Sequence, residues 1–137
     1  MPLRYPRVIW RSSRLILHIL VGLLLTPAVS RRNANSGRLH SSPVVVSWWH
    51  GRLARILNLE INVSGVPPAA PSLIICNHVS WLDIVVLGHL TQTAFLSKQE
   101  VRGWPVIGWL AERSGTLFIR RGGGQATQIS QAIGDRL

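Results

Sequence analysis

The sequence predicts an α/β fold with an N-terminal membrane-anchoring helix. Three features carry this expectation: an acid-free basic segment around an uncharged apolar run, a Trp- and Arg-rich amphipathic stretch, and short β-type runs alternating with helical ones. The chain has 137 residues, 47% apolar and 15% charged, which excludes a disordered tail and leaves room for one small domain or part of a larger one. Two units are expected, a basic membrane anchor over 1–42 and an α/β domain over 43–137.

The charge distribution comes first in chain order. Residues 1–55 hold nine arginines and no Asp or Glu, so nearly all of the net +10 lies there. Such a balance calls for an anionic partner, nucleic acid or lipid. Here the arginines alternate with Leu and Ile rather than with stacking aromatics, which favours lipid and argues against nucleic acid. Leu15 to Ser30 is sixteen residues without a formal charge. As a helix it is ~24 Å long, short of a ~30 Å hydrocarbon core unless Arg11 and Arg14 snorkel. The rival reading is a cleaved signal peptide ending at Ala28-Val29-Ser30. Arginines flank both ends, so the positive-inside rule does not choose an orientation.

Pro43 to Leu59 spaces Val45, Trp48, Trp49, Leu53, Ile56 and Leu57 as on one helix face, with Arg52 and Arg55 on the flank. Tryptophans beside arginines suit the headgroup level of a bilayer, though a helix covering a protein core has the same pattern. Leu59–Val63 alternates like a strand and Leu73–Cys76 reads as a buried one. Helices are expected over Trp81–Leu90, Pro105–Arg113 and Ala126–Leu137, and strands over Ala94–Ser97 and Thr116–Ile119.

Chemistry concentrates at Asn77-His78-Val79-Ser80-Trp81-Leu82-Asp83, where a strand hands over to a helix. An imidazole serves as general base near neutral pH when a carboxylate fixes its tautomer. The same residues also read as a capping box, with Ser80 as N-cap and Asp83 three residues on. Cys76 and His78 could form a nucleophile pair, but a buried strand cysteine is the simpler reading. The single cysteine excludes a disulfide framework, and the five histidines show no ligand spacing, so no metal is expected.

NHVSWLD resembles the first motif of the glycerolipid acyltransferase superfamily, of the lysophosphatidic acid (1-acylglycerol-3-phosphate) O-acyltransferase type. Phe95 to Glu100 followed by Trp104-Pro105-Val106-Ile107-Gly108 is similar to the family's stretch of lysine, short helix and proline-isoleucine-glycine. Gly115 to Arg121 is similar to its second motif, a glycine, a hydrophobic strand and a closing arginine. The similarity covers about residues 55–137, three motifs in the family's order.

The resemblance implies a glycerolipid-acyltransferase-like αβ domain, of which this chain carries the N-terminal part. It implies transfer of a fatty acyl group from acyl-CoA or acyl-carrier-protein to a lysophospholipid hydroxyl, in phospholipid synthesis, without a bound cofactor. His78 would be the base and Asp83 its orienting carboxylate. Arg121, Arg120, Lys98, Gly115 and Asn77 are the residues expected around the acceptor. The expected location is the inner membrane, with the active site at its cytoplasmic face. Two departures stand out. Arg120 occupies a position often acidic in the family, and the family's third motif, phenylalanine-proline-glutamate-glycine, does not follow within the 137 residues. The alternatives are an acceptor of the lyso-ornithine lipid kind and an inactive membrane-binding remnant.

Overall fold

The computed structural model describes residues 4–32, 39–66, 68, 72–120, 130, 131 and 134. Helix α1 runs from Arg4 to Val29, longer than the apolar run alone because the preceding Arg-rich segment is helical too. Arg7, Arg11 and Arg14 fall on one face of its first half. Tyr5–Val29 is long and apolar enough to cross a membrane by length and composition. At about 37 Å it exceeds the ~30 Å hydrocarbon core that the apolar run alone does not reach. Most of its large apolar side chains, among them Trp10, Leu17 and Leu24, are exposed.

Two three-residue strands follow, β1 (Ser30–Arg32) and β2 (Leu39–Ser41), paired antiparallel with Ser30 opposite Ser41. Sequence reasoning missed this hairpin, since neither strand has an apolar alternation to announce it. Helix α2 (Pro43–Leu57) starts with proline at its first turn and stops two residues earlier than the pattern suggested. Asn58 ends it by taking a left-handed conformation (φ 58°, ψ 44°), from which its N–H donates to the carbonyls of Ala54 and Arg55.

Helix α3 (Leu82–Leu90) packs extensively on α2. The small core lies there, with Ala54, Ile56 and Val85 buried. Trp48 stays half exposed, so the packed face of α2 is the small-residue face of Gly51 and Ala54 rather than the tryptophan stripe. Small residues let two helices approach closely. Trp49 instead turns to α1, where its ring stacks on buried His18 at 3.5 Å between centroids and 18° between planes.

Strand β3 (Leu96–Lys98) leads into the short α4 (Gln99–Arg102), then α5 (Ile107–Arg113) and β4 (Leu117–Ile119). Strands β3 and β4 pair in parallel, with Leu96 opposite Leu117 and Lys98 opposite Ile119. Helix α5 starts two residues later than Pro105 because Val106 adopts φ 64°, ψ −63° and the Ile107 N–H donates to the Pro105 carbonyl at 2.7 Å. That is a γ-turn, a strained conformation for a β-branched residue. Gly108 fits the corner because a Cβ there would overlap the Arg102 and Val101 carbonyls, and Arg102 donates to Glu112 at 2.6 Å.

The structure corrects two expected strands. Residues 59–63 and 73–76 are irregular, and Leu73 and Ile75 are exposed. A strand needs a ladder for its N–H and C=O groups, and here β3 and β4 pair with each other and with no third strand among the described residues. Cys76, expected inside such a strand, is exposed for the same reason. The expected helix over 126–137 lies outside the described residues, apart from Ser130, Gln131 and Gly134, which are helical.

Candidate active site

The site is built where the irregular segment ending at Val79 turns into α3. Asp83 is the second residue of that helix, and its carboxylate turns back over the preceding chain. One oxygen, Oδ2, accepts three hydrogen bonds: from the Val79 N–H at 2.8 Å, the Ser80 N–H at 2.9 Å and His78 Nδ1 at 3.1 Å. Ser80 reciprocates through its hydroxyl, which accepts from the Leu82 N–H at 3.3 Å. The expected N-cap at Ser80 is corrected: the helix is capped at Trp81, without a side-chain cap bond, and Asp83 instead secures the chain that enters it. The bonds that secure that chain also hold the carboxylate against the imidazole.

The electrostatics follow from these bonds. The Ser80 and Val79 N–H groups, with smaller help from His78, hold the Asp83 carboxyl below the usual carboxylate value of 3.8. Ionised, it can only accept, so His78 Nδ1 must be the donor. The lone pair is then on Nε2 of a ring whose side chain is 58% exposed. An imidazole so oriented can take a proton from a hydroxyl brought to Nε2, and the carboxylate stabilises the imidazolium that forms.

The remaining expected residues divide by place. Asn77 directly precedes His78 and is exposed. Gly115 lies between α5 and β4 with φ 88°, a conformation that favours glycine, and its N–H donates to the Glu112 carbonyl. Lys98 closes β3 opposite Ile119, so Arg120, one residue past β4, lies at the same end of the parallel pair. The C-terminal ends of parallel strands are where α/β sheets bind ligands. Arg121 lies outside the described residues. Sequence reasoning missed the histidines of α2 and α3. Burial lowers the His50 pKa from its usual 6.5, and its Nδ1 bonds to the Val46 carbonyl at 2.8 Å.

A family model described as Acyltransferase matches residues 60–136, which include the whole His78–Asp83 corner and the β3–β4 pair. A lyso-ornithine lipid O-acyltransferase of Pseudomonas aeruginosa is 46% identical over 134 residues, covering 96% of this chain and 52% of its own length. Another of that description, from Rhodobacter capsulatus, is 34% identical over 133 residues, covering 96% of this chain and 48% of its own. A 1-acyl-sn-glycerol-3-phosphate acyltransferase of Neisseria gonorrhoeae is 38% identical over 79 residues, 56% of this chain and 31% of its own length. The chain thus spans about half the length, or less, of these curated relatives. No solved structure matches it. An imidazole oriented by a carboxylate at the head of α3, inside a matched segment that covers more than half of the chain, leads to one assignment: the chain belongs to the acyltransferase family.

Proposed function

We propose that this chain carries the catalytic corner of a membrane-bound O-acyltransferase. It moves a fatty acyl group from acyl-CoA or acyl-carrier-protein to the free hydroxyl of a lysolipid, and works at the cytoplasmic face of the inner membrane. The observation that carries the reading is the 3.1 Å bond from His78 Nδ1 to Asp83 Oδ2. In the reaction, Nε2 of His78 takes the hydroxyl proton as the lysolipid oxygen attacks the thioester carbonyl. The tetrahedral intermediate then collapses, the thiolate leaves, and the imidazolium returns the proton to sulfur. No covalent acyl-enzyme is required. Base assistance of this kind contributes about 10²–10⁴-fold, and positioning supplies much of the rest.

Two acceptors fit the chemistry, 1-acylglycerol-3-phosphate and a lyso-ornithine lipid. Both carry an anionic group, phosphate or carboxylate, that a guanidinium can hold through two hydrogen bonds. The extent of similarity supports the lyso-ornithine acceptor: two relatives so described match 96% of the chain, anchor included, and two others match 66% and 64%, whereas the glycerol-phosphate relatives match 56%. Lys98 and Arg120 share one end of the parallel pair, which supports assigning them to such a headgroup. The test is to produce the protein from its own gene, supply membranes with each acyl donor and each lysolipid, and compare wild type with His78→Ala. At least ~10²-fold loss of acyl transfer is expected in the variant. Equal turnover in the two would reject the reading, and the preferred lysolipid decides the acceptor.

A further inference from the structure

Helix α3 has the sequence LDIVVLGHL, apolar on nearly every side. Burial of apolar area therefore does little to select its rotation or its axial position, since several seatings bury similar surface. Yet Asp83, in its first turn, has to meet His78 within a few tenths of an ångström to act as its partner. Something directional must seat the helix.

The contact between α2 and α3 contains such a device, written in the sequence as two mirrored dipeptides, His50-Gly51 and Gly88-His89. The His50 ring lies over Gly88: a Cβ there would come within 2.8 Å of ring Cγ and Nδ1 and 2.9 Å of Cε1. The His89 ring lies over Gly51, where a Cβ would come within 2.5 Å of Nδ1 and 2.6 Å of Cε1. Each helix thus offers one ring and one bare backbone notch, and each ring occupies the other helix's notch. The His50 ring is fixed in turn by its bond to the Val46 carbonyl. Ser47 Oγ donates to the His89 carbonyl at 2.6 Å, which ties down the last turn of α3.

We propose that this histidine–glycine interlock positions the catalytic dyad, with His50, Gly51, Gly88 and His89 acting as positioning residues through the seat of α3. The inference rests on the acyl-transfer reading for its kinetic consequence, though its structural part can be tested without turnover. Gly88 lies five positions after Asp83, about 7.5 Å along a rigid helix, so a displacement at the notch is carried to the carboxylate. A methyl at Gly88 requires a retreat of about 0.6 Å to reach ordinary contact distance. Misplacement of about 1 Å costs on the order of 10²-fold in rate.

The test uses Gly88→Ala, His50→Ala and the double variant, each in membranes, with rates normalised to folded protein. Gly88→Ala lowers kcat roughly fivefold to fiftyfold and leaves KM for the lysolipid within about twofold, because the acceptor groups at the sheet end do not move. Adding His50→Ala makes room for the methyl and raises kcat above that of Gly88→Ala alone. Hydrogen exchange at the Val79 and Ser80 amides, which bond to Asp83, accelerates in Gly88→Ala and slows again in the double variant. Unchanged kcat and exchange in Gly88→Ala overturn the proposal, as does a loss that the double variant fails to recover. If Gly88→Ala does not accumulate, His50→Ala alone decides, and wild-type kcat and exchange in it are the overturning result. Absence of acyl transfer by wild type would count against the function, while the exchange measurements would still decide the interlock.

Discussion

Asp83 Oδ2 accepts from the chain entering α3 and, in the proposed reaction, orients His78, and two substitutions separate these roles. In Asp83→Asn the side-chain oxygen can still accept from the Val79 and Ser80 N–H groups, at distances near the present 2.8 and 2.9 Å. Because those two bonds remain, the start of α3 survives. What is lost is the charge beside His78 and the preference for a proton on Nδ1. A buried carboxylate in a catalytic triad is worth about 10⁴-fold. Here the carboxylate is one-third exposed and the bond, at 3.1 Å, is longer than the ~2.7–2.9 Å of the strongest charge-assisted pairs. Solvent screening and the longer bond place the expected fall in kcat nearer ~10²-fold. Asp83→Ala should lose the same rate and, in addition, melt at a lower temperature, because two backbone donors lose their acceptor. The assay is acyl transfer in membranes beside thermal unfolding of the purified variants. Wild-type kcat in Asp83→Asn would refute the catalytic role, and equal melting temperatures for the Asn and Ala variants and wild type would refute the role in securing the chain that enters α3.

The other expectations concern acid stability, helix ends, the anchor and the acceptor. Half-buried His50 has a folded pKa below 6.5, so as pH falls through 6.5 the unfolded chain takes up a proton that the folded one does not. Wild type should lose stability down to the lowered folded value, and His50→Gln should flatten that part of a pH–stability curve. Asp83, also lowered, keeps its charge throughout that window; its contribution is complete above the usual carboxylate value of 3.8 and is lost as pH falls through its lower folded value. Asn58→Val should cost roughly 1 kcal/mol or more by placing a β-branched residue at φ 58°, and Asn58→Gly should be neutral or stabilising, both read from unfolding curves. Membranes washed in high salt should keep the protein and yield it only to detergent, since α1 offers apolar burial as well as arginines; release by salt alone would show that α1 is not inserted. Lys98→Ala should raise KM for the anionic acceptor several-fold with little change in kcat, and an unchanged KM would remove Lys98 from the site.

Much of this protein is determined locally, and local features are legible in sequence. The apolar run in α1 and the amphipathic α2 follow from periodicity, because burying one stripe of a helix needs no knowledge of the rest of the chain. His78 and Asp83 are five residues apart, and the turn between them puts the two side chains within reach of each other. Other features required tertiary partners. Residues 59–63 and 73–76 carry the composition of strands but no ladder forms for them, while Ser30–Arg32 and Leu39–Ser41 lack that composition and pair. Strand formation is settled by the neighbour as much as by the segment. The seating of α3 was decided the same way. His50-Gly51 and Gly88-His89 lie far apart in sequence, and only the packing of α2 on α3 turns each glycine into a notch that a ring from the other helix fills. The chemistry of the corner is written in one short string of residues, whereas its placement depends on contacts that excluded volume imposes across the fold.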